Sequence, residues 1–179
     1  MVWIPLFNQL VGIGVIVGQV LIVVLLLELF VPSKMQGTIG RWLGRNGLKI
    51  AFLAALGSTA GSLIYSNIIG YPPCTLCWWQ RIFIYPEVII LGIALWRRDA
   101  NGSLYGISVA IPGIIIALYH NWIDLGGKAL GTCGVSTGAV SCTQRFIHEF
   151  GYITIPLMSL TVLLIILFSL ISYRKSLTR

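Results

Sequence analysis

Charge is what this chain is short of. Only 9% of its 179 residues are charged, against about 25% in an ordinary soluble domain. With 57% of the residues hydrophobic, the polar surface of a water-soluble particle is missing. The composition excludes a soluble globular protein and implies an integral membrane protein, of a length that suits one domain. Alternating polarity is absent too. Membrane β-strands would show it over roughly ten residues each, and the apolar runs here do not alternate. The formal net charge of +7 is not a nucleic-acid footprint, because the basic residues are not interleaved along a soluble face. No repeat, low-complexity run or soluble linker domain interrupts the chain.

What is there are five apolar stretches, at about 11–31, 48–69, 79–96, 104–122 and 151–173. A helix needs roughly 20 apolar residues to cross a hydrocarbon core, so the third and fourth are at the short end. Lipid offers no partner to free backbone groups, which requires these spans to be helical. The first stretch reads as a retained helix rather than a signal peptide. No Lys or Arg precedes it, it is too long, and Leu29-Phe30-Val31-Pro32 is a poor cleavage site.

Acid is absent where base is dense. Segment 32–49 holds Lys34, Arg41, Arg45 and Lys49 without an acid, the turn after the third span holds Arg97 and Arg98, and the tail holds Arg174, Lys175 and Arg179. These nine of twelve basic residues fall on one side of five alternating helices. The positive-inside rule makes that side cytoplasmic. The N-terminus and the loops around 70–78 and 123–150 are then outside. All four cysteines, Cys74, Cys77, Cys133 and Cys142, lie in those outer loops, as an oxidising compartment allows. Asp124, Lys128, Arg145 and Glu149 read as solvated loop charges, and Glu28 reaches for the basic segment. Gly57 with Gly61, and Gly14 with Gly18, have the small-xxx-small spacing of helix contacts. Pro86, Pro112 and Pro156 fall inside spans, as potential kinks.

The stretch PPCTLCWWQR carries the chemistry. Pro72 and Pro73 disfavour helix before the cysteines, so the third helix starts near Cys77. A thiol at a helix N-terminus feels the positive end of the macrodipole, which favours the reactive thiolate. Arg81, four residues on, shares the face of Cys77 and adds positive charge. Three readings compete. A structural disulfide closes only a four-residue loop and gains little entropy. A metal site needs thiols from distant loops, and the expected compartment disfavours free thiols. A redox dithiol fits best. A c-type haem attachment drops out because Trp78, not His, follows Cys77. Cys133 and Cys142 sit in a glycine-rich stretch and read as a loop-closing disulfide or a second redox pair in exchange with the first. Of the three possible pairings, adjacency favours Cys74–Cys77 and Cys133–Cys142.

The run Cys74-Thr75-Leu76-Cys77-Trp78-Trp79-Gln80-Arg81, the following span and the second pair in the next outer loop resemble the DsbB/BdbC family of disulfide-bond formation proteins. Tyr119-His120 and Gly151-Tyr152-Ile153-Thr154-Ile155-Pro156 add to the likeness, which covers about residues 48–173. The resemblance implies an all-α integral membrane protein with a four-helix transmembrane bundle core. Here an extra N-terminal helix and basic loop (1–47) precede the core (48–173), and a basic tail (174–179) follows it. It further implies a thiol:quinone oxidoreductase of the bacterial plasma (inner) membrane, supporting disulfide-bond formation outside the cytoplasm. Cys133 and Cys142 would accept electrons from a DsbA-like thioredoxin-fold partner. The pair Cys74–Cys77 would take them on, and Cys77 would deliver them to ubiquinone or menaquinone. Arg81 would support the quinone site, and no metal is needed.

From the residues themselves, Arg81 and His120 lie at the same membrane depth near Cys77, where they can hold an amphipathic redox head group whose tail stays in lipid. For each there is a plainer reading: snorkelling to head groups for Arg81 and a local hydrogen bond for His120. Trp78 and Trp79 read as aromatic-belt anchors. Glu87 is roughly 9 Å deeper than Arg81 and not on its face. An intramembrane carboxylate is by default a functional candidate, as a proton relay beside the quinone, with a protonated structural Glu as the equal alternative. The reading from another class is a non-enzymatic membrane protein stapled by two structural disulfides.

Overall fold

The computed structural model describes residues 3–30, 38–128 and 141–178. Its elements are α1 (Trp3–Phe30), α2 (Thr38–Leu63), α3 (Thr75–Arg97), α4 (Gly102–Asp124) and α5 (Ile155–Leu177), with a π-turn over Ile64–Ile68 prolonging α2. All five are long and apolar enough to cross a membrane. Among the described residues there is no strand, only an isolated bridge between Glu149 and Ile153. The all-α fold read from the sequence is therefore the fold observed. The helices exceed the apolar runs at their ends. Arg41, Arg45 and Lys49 lie on α2, so part of the expected basic loop is helix.

Helix α5 is central: it packs against α1, α2 and α4, while α3 lies between α2 and α4. Small residues permit this. Ala51 and Ala55 of α2, Ala110 and Ala117 of α4, and Leu163, Ile166 and Leu170 of α5 are fully buried in one core. Gly47 lies against the Ser169 carbonyl, and Gly106 against Leu170, where an added Cβ would come within 2.7 Å. Without a hydrophobic drive between helices in lipid, such close approach is what holds a bundle. Outward faces carry Leu10, Val17, Leu27, Ile89, Ile93, Ile115 and Leu118, all exposed as lipid requires.

Short local signals set the ends. Pro72-Pro73 keep the chain extended into Cys74 (φ −73°, ψ 171°), which caps α3. Arg98 ends α3 in the left-handed conformation at φ 54°. Pro86 and Pro112 lie inside helices, as expected. Pro156 does not: α5 starts at Ile155, so this proline occupies the first turn, where its missing N–H costs nothing.

The glycine pairs also differ from expectation. Gly18 packs on Ile165 and Thr161, yet an added Cβ at Gly14, Gly57 or Gly61 would meet nothing within 4 Å. These three face space rather than a helix. Glu28 is buried against Gly40 of α2, and Lys175 Nζ donates to the carbonyls of Glu28 and Leu29 at 3.4 and 2.9 Å.

Candidate functional site

At the end of the bundle away from Arg97 and Arg98, the cap of α3 meets the last turn of α4. Cys74 Sγ accepts the Cys77 backbone N–H at 3.3 Å, the ordinary bond from an N-cap side chain to the third helical residue. The two sulfurs are 2.9 Å apart and unbonded; both are free thiols. The expected Cys74–Cys77 pair is thus brought together, its sulfurs near enough for a bond to form between them on oxidation. The helix begins at Thr75 rather than near Cys77, so the sulfur at the capping position is that of Cys74, not Cys77. Cys74 is the cysteine its surroundings favour as thiolate: the Cys77 hydrogen bond, and after it that of His120, hold its thiol below the usual range against the opposing effect of burial.

His120 is 2% exposed and reaches three partners. Its Nε2 is 3.8 Å from Cys74 Sγ and 3.3 Å from the Cys142 carbonyl, and its Nδ1 is 3.2 Å from Gln80 Nε2. One tautomer satisfies all of them. Gln80 donates to Nδ1, and Nε2–H donates to the carbonyl and to the Cys74 sulfur. The expected neighbour of His120 was Cys77; its partner is Cys74. Gln80 escaped the sequence reading. It stands between Trp79 and Arg81, and its one signal was a neutral polar residue opening a membrane span.

Arg81 lies on the cavity side. Its Nε donates to Ser62 Oγ at 3.1 Å and its Nη2 to the Ser62 carbonyl at 3.4 Å, while Trp78 lies under the guanidinium at 5.1 Å. Tyr85 donates to the same Ser62 hydroxyl at 3.1 Å. Trp78 therefore also braces Arg81, although it and Trp79 remain half exposed as belt residues do.

Asp124 and Arg145 are not free loop charges. Asp124 Oδ1 accepts Arg145 Nε at 2.8 Å, Arg145 Nη2 donates to the Asp124 carbonyl, and Thr154 donates to Oδ2 at 3.1 Å. This clamp holds the segment after residue 141 onto α4 and so fixes Cys142 over His120. Cys142 is buried and disulfide-bonded. Cys133, and with it the expected Cys133–Cys142 pairing, lies outside the described residues.

These groups rim a cavity of about 410 Å³, within the usual range of small-molecule sites. Cys74, Cys77, Gln80, Arg81, Tyr85, His120 and Cys142 form its polar mouth. Below them the lining is apolar or small: Val11 and Gly14 from α1, Gly57 and Gly61 from α2, Val162 and Ile165 from α5. Glu87 is not among the lining residues. It is fully buried and faces Gly106 of α4, its carboxyl oxygens without hydrogen-bond partners among the described residues. Six residues of α-helix turn it about 240° from Arg81, away from the cavity. The Cys74, Cys77 and His120 donor atoms lie within 4.8 Å of one another. The sequence reading weighed metal binding by cysteines alone and missed this third donor.

A bundle of membrane-length helices with two neighbouring thiols over a largely apolar cavity fits a multi-pass membrane protein with a dithiol site at one end. The family model "Disulfide bond formation protein DsbB" matches residues 44–173, and the chain belongs to that family. It is 42% identical over 113 residues to "Probable disulfide formation protein C" of Bacillus cereus, covering 63% of this chain and 81% of the relative. Against the protein of the same name from Halalkalibacterium halodurans, identity is 41% over 116 residues, with 65% and 84% covered. The SPbeta prophage-derived disulfide bond formation protein B of Bacillus subtilis is 43% identical over 112 residues, with 63% and 74% covered. No solved structure matches the chain.

Proposed function

We propose that this protein is a membrane thiol:quinone oxidoreductase that makes disulfides for a DsbA-like thioredoxin-fold partner. The observation that carries the reading is the Cys74–Cys77 dithiol at the polar mouth of a cavity whose depth is apolar. The residues fit a ring-and-tail amphipath. Arg81 and His120 stand at the mouth, and small and aliphatic side chains line the rest. A bound quinone would supply the acceptor for two electrons and two protons, so that dithiol plus quinone becomes disulfide plus quinol.

The chain's own part divides between two pairs. Cys133 and Cys142, paired as a disulfide, exchange with the partner's dithiol and become reduced while the partner is oxidised. Their thiols then reduce the Cys74–Cys77 disulfide through a mixed disulfide. The seat of Cys142 on His120, beside Cys74, supports Cys74 as the sulfur attacked in that exchange. Attack on Cys74 releases Cys77 as thiolate, and His120 then stabilises Cys74 as the thiolate that leaves when the second loop thiol re-forms the Cys133–Cys142 disulfide. Cys77, at the mouth near Arg81, is the sulfur that faces the acceptor. The bundle end that carries Arg41, Arg45, Arg97, Arg98, Arg174 and Lys175 supports a cytoplasmic placement of that end in a bacterial plasma membrane. The cysteine end is then outside.

Anaerobic mixing of the purified protein with a quinone and a reduced thioredoxin-fold protein tests the reading. Quinol absorbance should grow in step with oxidised partner. Cys133→Ala or Cys142→Ala should block partner oxidation. Absence of quinol, or unchanged partner oxidation in both variants, would refute it.

A further inference from the structure

Helix α1 lies outside the residues that match the family, yet it is fastened to the bundle along its length. Asn8 Oδ1 accepts from Tyr65 at 3.1 Å, Gln19 Oε1 accepts from Tyr152 at 2.9 Å, and Lys175 Nζ holds the Leu29 carbonyl at 2.9 Å. Gly12 seats Phe150, and Gly18 seats Ile165. All but the Asn8–Tyr65 bond, which ties α1 to the π-turn after α2, press α1 onto α5 and the segment before it. Against α2, in contrast, α1 makes only sparse contact.

The gap between α1 and α2 is where the cavity runs. Val11, Gly14 and Val15 of α1 line one side, and Leu53, Gly57 and Gly61 of α2 line the other. An added Cβ at Gly14, Gly57 or Gly61 would meet nothing within 4 Å. Gly14, Leu53 and Gly57 line the cavity and are also exposed, so the cavity opens there. Gly57 is five residues below Ser62, the partner of Arg81, which is about 7.5 Å along the helix. The opening is therefore at hydrocarbon depth on two spanning helices. It faces lipid, while the cysteine mouth lies above it.

On the quinone reading above, we propose that α1 is the outer wall of the acceptor site, and that the apolar tail of a membrane quinone leaves through the α1–α2 gap past Gly14 and Gly57. The occupant follows from two features. The slot is continuous with the dithiol, and its strongly polar side chains Arg81, Gln80 and His120 stand at one end, while the other is aliphatic and glycine surface with only the small hydroxyl residues Ser58, Ser159 and Thr161 among it. A helix that the family core lacks thus supplies part of the binding surface. The three glycines keep the slot wide; they are not packing contacts.

Two readouts test this. First, Gly57→Leu and Gly14→Leu, each filling the slot from one wall, are compared with wild type using two quinones of one head group, tail-less and polyprenyl-tailed. The ratio of KM for tailed over tail-less quinone should rise about tenfold, the loss of burial of roughly two methylenes. An unchanged ratio in both variants overturns the proposal. Second, a tailed quinone with a diazirine at the end of its tail is irradiated with the wild-type protein and the adducts are mapped by peptide mass spectrometry. Adducts on residues 11–15 and 53–61 support the slot. Adducts confined to the outer faces of α3 and α4, or none, overturn it. This second readout needs no turnover. Failure of the oxidoreductase reading therefore shows as absent quinol, separately from failure of the slot.

Discussion

The two ends of the bundle use glycine in opposite ways. Towards the basic end, Gly40 meets Glu28, Gly44 meets Ser176, Gly47 meets the Ser169 carbonyl and Gly102 meets Ala94. There glycine removes a side chain so that two helices can touch. Towards the cysteine end, Gly14, Gly57 and Gly61 have open space where a side chain would be. These three keep a volume empty, although Gly12 at the same end is a seat for Phe150. Sequence spacing cannot separate the two uses, because Gly14 and Gly18 share a four-residue interval and take opposite roles. The difference teaches that one end is built to be rigid and the other to hold something.

Substituting one glycine at each end breaks or sharpens that contrast. Gly47→Ala puts a methyl into a backbone carbonyl, which cannot step aside as a side-chain tip can. Overpacking of this kind costs about 1–3 kcal/mol, read as a lower thermal midpoint in detergent. Gly57→Ala adds a methyl to open space and removes a helix-interior glycine, for a gain of roughly 0.5–1 kcal/mol. Opposite signs uphold the contrast. A loss at Gly57 as large as that at Gly47 would mean that both ends are equally tight.

The fold was legible because lipid leaves one solution for a long apolar run. The cysteine motif was legible because its meaning is local. What escaped depends on helix phase and on contacts across the chain. The start of α3 moved to Thr75, and with it the favoured thiolate moved from Cys77 to Cys74. Asp124 and Arg145 are separated by 21 residues, and no local pattern marks them as partners. Gln80 was hidden by its neighbours, since Arg81 drew the reading that its own contact with His120 required. Glu87 was legible as buried, but its neighbour Gly106 lies on another helix.

The Cys74 network offers a second contrast, between what one helix supplies and what the next adds. The Cys77 bond comes from the same turn; the His120 bond comes from α4. Both hold the Cys74 thiol below the usual range, Cys77 more strongly. In reduced protein, the pH midpoint of Cys74 alkylation should therefore move up towards about 8.5, the free-thiol value. Cys77→Ala should move it further than His120→Phe, and Gln80→Leu, which only frees the far nitrogen of the ring, should move it least. Linkage gives a companion result. Because the folded thiol ionises at lower pH than the unfolded one, stability rises with pH between the two values. A Cys74→Ser chain should lack that rise. A His120→Phe shift larger than that of Cys77→Ala would reverse the order of local and cross-helix control.

The smallest effect belongs to the clamp beneath Cys142. The Asp124 side chain is 7% exposed and that of Arg145 is 43% exposed, so water screens one side of the pair. Arg145→Ala should cost about 0.2–1 kcal/mol of global stability, the range of exposed ion pairs. Its local effect should be larger in kind. Arg145 also donates to the Asp124 carbonyl at the end of α4, and without it the segment from Ser141 to Phe146 keeps only the contact of the Cys142 carbonyl with His120 to that helix. Amide exchange in this segment should quicken while exchange in α3 stays as it was. Asp124→Asn should reproduce the change more weakly, because the carbonyl bond survives. If exchange in the segment did not change in Arg145→Ala, Cys142 would be held over His120 by Ile147 and Ile153 in the core below, and the open end would owe its order to packing, as the basic end does.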